Sequence, residues 1–368
     1  MARILVSGAL ANKPRSGGEA WVRMSWVRGL RRLGHEVCFV EQIERAEPVN
    51  VETFRVAVAL APDCPVALIC GDRSEVGLTL EEIVEWARGA DLLVNISGHL
   101  EVEAILEGPR RRAYVDVDPG FTQIWAEEGA AARLESHDTF FTVGENIGAP
   151  ECSIPTAGRK WLPLPPPVTL EDWPVVPVPR DARFTTVATW RSPLGTLEYN
   201  GKTFEGKHHQ WRRLIHLPRR VDQEFEIALR IDPDDEPDEI ALEANGWRLV
   251  DPVAVAGDLL AFRAYVQGSA AELSVAHPVY VDTASGWVSD RTVRYLASGR
   301  PALVQDTGIG ERYPVGEGLL TFRTPDEAVT AAEAIAADYD AHARAARALA
   351  EAHFDSARVL GRFLEAAL

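Results

Sequence analysis

Cysteine is scarce. Cys38, Cys64, Cys70 and Cys152 are the four present, and no two have the spacing of a metal-ligand set or a redox pair. That excludes a disulfide-built scaffold and a cysteine-held zinc, and leaves buried thiols in a reducing compartment. No apolar run reaches the roughly 20 residues of a membrane-spanning helix. The opening residues, MARILVSG, read as a short strand and a turn, without the basic stretch and long apolar core of a secretory signal. A soluble, cytoplasmic protein with no stable membrane insertion is the expectation. Positive charge is in deficit: 38 Lys plus Arg stand against 55 Asp plus Glu, a net charge of −17. Such a surface repels nucleic acid and anionic membranes, so neither is expected as a partner. An anionic small molecule stays open, because local Arg and Lys can outweigh the global field. Also missing are a P-loop, a Cys-His metal set and a GxSxG elbow. Gly8 and Gly17-Gly18 do not make the GxGxxG spacing of dinucleotide binders, which argues against a dehydrogenase.

What is present is a globular balance, 46% hydrophobic and 25% charged, over 368 residues. That length exceeds one comfortable core and predicts two domains. Arg3 to Ser7 reads as a buried strand. Gly17-Gly18 opens a helix from Glu19 to Leu33, with Trp21, Val22, Trp26 and Leu30 on its inner face. Gly34 stops it and Val37 to Glu41 is the next strand, a βαβ opening that implies a parallel sheet. Further strands are expected at 66–70, 91–96, 113–117 and 139–143. A helix at 79–90 starts with Thr79 and Glu82 set as a capping box. The run WLPLPPPV, 161–168, breaks both periodicities and reads as a stiff linker. A second series follows, with strands at 184–189, 225–231, 247–250, 273–276 and 302–305. Helices are expected at 208–217 and 258–267, and Ala-rich helices at 325–350 and 356–368. Asp232 to Glu239 reads as a solvated acidic turn rather than a metal site. The divisions expected are a first domain over 1–165, a second over 166–345 and a C-terminal helix over 346–368 packing back toward the first. Two such doubly wound α/β domains face each other across a cleft lined by strand carboxyl ends.

The segment GWVSDRTVRYLASGRPALVQDTG, 286–308, is the richest in signal. Ser289 and Asp290 can cap a helix striped by Val293, Leu296 and Ala297. Gly299 ends it, and Pro301 to Gln305 is a strand. A helix N-terminus beside a buried strand is where α/β proteins hold anions, so a phosphate-bearing ligand is expected.

In SGGEAWVRMSWVRGLRRLGHEVCFVE, TWRS with GKHHQW after it, and LASGRPALVQDTG, taken in this order, the chain resembles GT-B glycosyltransferases, the retaining family 4 type in particular. The resemblance implies a GT-B-like fold of two Rossmann-like domains. It implies sugar transfer from a nucleotide-diphosphate donor on the second domain to a small-molecule or glycan acceptor on the first. Gly17 and Gly18 would approach the donor diphosphate or the transferred sugar. Arg191 and Lys207 would neutralise the leaving diphosphate, with Lys202 competing because Gly-Lys occurs twice. Fixed cations and helix N-termini can carry that charge, so neither a metal nor a cofactor is needed. The chain departs from that family at its paired Glu residues, whose positions fall on Gly286 and Arg294. Asp290 could take the ribose hydroxyls or be an N-cap only, while Ser289, Arg291 and Arg294 could donate to phosphate. Trp287 could stack on a base or sugar, as could Trp190. His99, after a first-domain strand, could bond the sugar or take the acceptor's proton. Asp116 and Asp118 form a DxD, but Pro119-Gly120 ends the strand, so Asp118 reads as an acceptor-side base or hydroxyl ligand rather than a metal ligand. Glu145 and Asn146 are weaker acceptor-side candidates. With the Glu pair missing, a nucleotide-sugar epimerase or hydrolase on this fold, or a non-catalytic nucleotide-sugar-binding protein, are the alternatives.

Overall fold

The protein is described here by a computed structural model that covers residues 1–130, 134–192 and 194–368. Runs such as RILVS, VALIC and LLVNI are apolar on both faces, which suits strands covered on both sides in a parallel sheet. They build a first sheet from β1 (Arg3–Ser7), β2 (Glu36–Ile43), β3 (Val66–Cys70), β4 (Arg73–Gly77), β5 (Leu92–Ile96), β6 (Arg111–Asp116), β7 (Thr139–Thr142) and β8 (Trp161–Pro163). Their order is β4-β3-β2-β1-β5-β6-β7-β8. Every pairing is parallel except that of β4 with β3. In the second half, β9 (Phe184–Thr189) is followed by a hairpin of β10 (Leu197–Tyr199) and β11 (Lys202–Phe204). Then come β12 (Phe225–Arg230), β13 (Trp247–Val250), β14 (Ala271–Ser274), β15 (Ala302–Gln305) and β16 (Leu319–Phe322). They form a parallel sheet ordered β13-β12-β9-β14-β15-β16. Each sheet reverses its strand order beside its first strand, between β1 and β5 and between β9 and β14. Doubly wound folds bind ligands outside the strand carboxyl ends at such switch points.

The helix Gly17–Arg32 ties the halves together. Trp21 packs edge-on against Trp173, centroids 5.1 Å apart, and donates its Nε1–H to the Leu259 carbonyl at 2.8 Å. Trp26 meets Phe363 of the Ser356–Ala367 helix at 5.0 Å. Glycines permit both approaches. A Cβ on Gly17 would run into the Asp258 carbonyl oxygen and reach Phe262 Cβ at 2.8 Å, and one on Gly29 would lie 2.9 Å from Ser356 Cβ. One apolar core therefore runs unbroken from Ile4 and Phe39, through Trp21, to Phe262, Val293 and Leu360. A second core lies under the other half around Phe184, Trp211, Phe225 and Trp247.

The sequence expectations of β3, β9, β13 and β15 match the observed spans, and Thr79 and Glu82 form the expected capping box. The Trp161–Val168 run is not wholly linker: Trp161–Pro163 pairs in parallel with β7. Pro163 is tolerated because it closes an edge strand, where its missing N–H is not called on. Asp232–Glu239 is not a plain turn either, since Pro233 and Pro237 sit at the first positions of a 3₁₀ turn and of the helix Glu236–Ala244. Among the described residues, no helix is long and apolar enough to cross a membrane.

Candidate active site

A cavity of about 810 Å³ lies between the two sheets, lined from both switch points. The first-domain wall carries the loop after β1 (Asn12 to Ser16), the loop after β5 with Ser97 and His99, and Val117-Asp118 after β6. The second-domain wall carries Thr189, Lys207, Arg230, His277 and the Trp287–Arg291 segment.

His99 is brought there by Asn95, whose amide closes the loop by accepting from Leu100 N at 3.2 Å and donating to its carbonyl at 3.3 Å. Two consecutive left-handed residues, Ser97 (φ 56°) and Gly98 (φ 66°), make the turn. Burial, with Arg23 and Lys13 nearby, pushes the His99 pKa down to about 4, so the imidazole is neutral at neutral pH. The loop after β1 is fixed by Glu41, which accepts from the backbone N–H groups of Leu10 (2.9 Å), Ala11 (2.7 Å) and Asn12 (2.8 Å). Its burial raises its own pKa to about 7.

The two aspartates of the DxD differ. Asp116 is fully buried and accepts from Thr122 Oγ1 (2.7 Å), Gln123 Nε2 (2.8 Å), Thr142 Oγ1 (2.7 Å) and Asp118 N (3.1 Å). Those four donors occupy both oxygens and make it a structural strut. Asp118 faces the cavity, and burial, then the charges of Asp116 and Glu19, push its pKa up to about 6.

Of the two Gly-Lys lysines, Lys207 lines the cavity, and no carboxylate lies within ion-pair distance of it among the described residues. Burial, then the Arg291 charge, brings its pKa down to about 8, while Asp118 and Asp290 oppose the shift. Lys202 instead pairs with Asp282 at 3.1 Å outside the cavity.

Several expected donor contacts are otherwise engaged. Arg191 is absent from the cavity wall and grips Asp235 with Nε at 2.7 Å and Nη2 at 2.6 Å. The partly exposed guanidinium thus faces the Glu236–Ala244 helix rather than the cleft. Gly17 is spent on the approach to Asp258, leaving Gly18 of the pair on the wall. Ser289 caps the helix Asp290–Ala297 by accepting from Arg291 N at 3.2 Å. Arg291 pairs with buried Glu272 at 2.6 Å and also donates to Ser274 Oγ and the Val187 carbonyl. Arg294 is wholly buried, pairs with Asp290 at 3.2 Å, and lies 5.9 Å from the Trp173 ring centroid. Asp290 itself lines the cavity, and burial raises its pKa. Trp287 lines it too, packed at a tilt of 34° against Tyr280 with centroids 4.7 Å apart. Trp190 is core, its Nε1 donating to Asp238 at 3.0 Å.

The missing Glu pair has a steric account. Gly286 has φ 72°, and a Cβ there would lie 2.7 Å from Asn146 Cγ, so no Glu fits. Asn146 is a bridge between halves, donating Nδ2 to the carbonyls of Ala284 and Gly308 at 3.1 Å and accepting from Arg312 Nε at 2.9 Å. Glu145 beside it accepts from the Tyr313 hydroxyl. Neither is on the cavity wall.

Residues that the sequence did not single out also line it. Arg23 is buried and paired with Glu19. His277 follows β14 and caps its own helix, accepting from Val279 N at 3.3 Å; burial and Lys207 push its pKa down to about 4. Its place after a strand's carboxyl end is the signal that marked His99.

No family model matches the chain, and no curated protein matches its sequence. Solved structures do match its shape. An alpha-glucosyltransferase in complex with UDP and a 13-mer DNA containing a central A:G mismatch superposes with a TM-score of 0.63 at 9% identity, covering 100% of this chain and 99% of that one. HepE of Anabaena, in complex with UDP and glucose, gives 0.61 at 14% identity, covering 100% and 99%. AviGT4, a glycosyltransferase involved in avilamycin A biosynthesis, gives 0.58 at 15%, covering 100% and 97%. The fold is of the GT-B type. In GT-B terms the cavity is the interdomain cleft, with the Lys207 wall on the second Rossmann-like half and the His99 wall on the first.

Proposed function

We propose that this chain is a glycosyltransferase, of the hexosyl or a related type. It would move a sugar from a nucleotide-diphosphate donor to a hydroxyl- or amine-bearing acceptor without a metal. The observation that carries the reading is Lys207: an ammonium with no ion-pair partner among the described residues, on the wall of the interdomain cavity within electrostatic reach of Asp118 and Asp290. A departing diphosphate gathers negative charge, and a fixed, partly desolvated cation stabilises it more in the transition state than in the ground state. The GT-B shape, shared with structures holding UDP, supports the donor class. Asp118 is the better base for the acceptor's proton, since it is ionised at neutral pH yet far more basic than an ordinary aspartate. His99, neutral and on the same cavity wall, would hold a sugar hydroxyl.

A non-catalytic binding protein is the second reading, favoured by Gly286 and Arg294 at the positions of the family's Glu pair. One experiment separates them. Thermal unfolding is followed with UDP, GDP, ADP, CMP and dTDP, with and without EDTA, and turnover of the matching nucleotide sugars is then assayed. One nucleotide is expected to stabilise the protein by about 2.7 kcal/mol at a hundredfold excess over its Kd, undiminished by EDTA and lost in Lys207→Met. No shift with any nucleotide would sink the donor site, and binding without turnover of donor would favour the second reading.

A further inference from the structure

The charged groups on the cavity wall fall into two sets. On the second domain, Lys207 lies within electrostatic reach of Arg291, Asp118 and Asp290. On the first domain, Lys13 lies within reach of His99, Asp118 and Glu19. Most of the cleft's arginines are neutralised: Arg23 by Glu19, Arg291 by Glu272, and Arg294 by Asp290. Lys13 and Arg15 on the first-domain wall are not, nor is Arg230 on the second, among the described residues. Lys13 and Arg15 both line the cavity, and among the described residues no carboxylate lies within ion-pair distance of either.

The segment bearing them is held rigidly. Glu41 fixes the three residues before Lys13 through their backbone N–H groups, and Arg15 adopts a left-handed conformation at φ 59°. Buried Arg23, on the same wall, keeps its Nε without a hydrogen-bond acceptor although it is only 2% exposed. A buried guanidinium N–H left unmade costs free energy that a bound acceptor atom would recover. Two free cations on a pinned loop and an incompletely satisfied buried arginine make a wall matched to an anion. On the glycosyltransferase reading the donor's diphosphate lies by Lys207 on the opposite domain, which leaves these first-domain cations to a second anion.

Building on the glycosyltransferase reading, we propose that the acceptor carries a phosphate or carboxylate, held by Lys13 and Arg15 on the first-domain wall. The acceptor hydroxyl would then lie toward His99 and Asp118, between its own anion and the donor's. Anchoring a remote anionic group orients the hydroxyl that attacks.

The test is isothermal titration of the full chain with glucose, glucose 6-phosphate and glucuronate, with and without saturating UDP. The Lys13→Ala/Arg15→Ala double variant is titrated alongside; both side chains are exposed, so the fold should tolerate it. One or both anionic sugars should bind at least about tenfold more tightly than glucose, the phosphate or the carboxylate arm identifying the group. The double variant should erase that preference while UDP affinity stays within about twofold, because Lys207 is untouched. Equal or absent binding of all three sugars overturns the proposal. So does a double variant that loses UDP as heavily as the anionic sugar, since the two cations would then serve the donor. Failure of UDP to bind the unaltered protein counts against the donor reading alone, because the anion preference is read separately in the nucleotide-free titration.

Discussion

Trp21 donates its indole N–H to the Leu259 carbonyl at 2.8 Å, so a first-domain helix is bonded to the backbone end of a second-domain helix. The ring is 1% exposed and packs on Trp173. Trp21→Ala should cost about 3–5 kcal/mol of unfolding free energy through the cavity it leaves. Trp21→Phe, which keeps much of the ring but loses the indole hydrogen bond, should cost about 1 kcal/mol for the lost bond alone, with some repacking on top. Urea melts of both variants check the order.

On the proposed function, Lys207 and Asp118 should set the two limbs of the pH profile. Activity should fall below about pH 6 as Asp118 takes up a proton, and above about pH 8 as Lys207 loses one. Asp118→Asn should lower kcat by about 10²–10⁴ and remove the acid limb. Lys207→Met should lower kcat by about 10²–10³ and remove the basic limb. A profile of kcat/KM between pH 5 and 9 reads both; an acid limb that survives in Asp118→Asn would assign the base elsewhere.

Arg191 provides a contrast. Its guanidinium is bound to Asp235 and absent from the cavity wall. Arg191→Ala should therefore leave nucleoside diphosphate affinity within about twofold while lowering Tm, because Asp235, with a side chain only 3% exposed, loses its partner. A large loss of nucleotide affinity would return Arg191 to the donor site.

Glu41 gives stability a pH dependence of definite sign. Its folded pKa is about 7, against 4.5 for an unperturbed glutamate. Between those values the folded chain holds a proton that the unfolded chain has released. The group's contribution to stability therefore falls as pH rises from 4.5 toward 7, and is constant above. Glu41→Gln should flatten that slope in denaturant melts, and should weaken ligand binding on the His99 wall because one of the loop's acceptor oxygens is lost.

Much of the architecture was legible because local chemistry set it: apolar runs ended by Gly at β1 and β3, a β-branched run at β9, and a capping box at Thr79. β4, β8 and β16 were missed because each is short or bordered by Pro and Gly, so the partner strand decides it. At the site, the sequence put His99, Asp118, Lys207 and Ser289 after strands or before helices, and the structure places all four on the cavity wall. The contacts of Arg191 and Gly17 could not be read in advance, because they are made with residues distant in sequence, Asp235 and Asp258. Arg23 and Glu19 carried no signal of their own in the sequence, and only the fold puts them on a cleft wall.

The contact between Trp26 and Phe363 bears on how the chain is made. Phe363 also lies 4.6 Å from Phe141, so the first sheet's outer layer is finished by a helix translated long after that sheet. On the ribosome the first half must wait, its apolar face bare over Trp26 and Leu30, while the entire second half is synthesised. Such delayed closure lengthens the window for aggregation and favours chaperone attendance on the nascent chain.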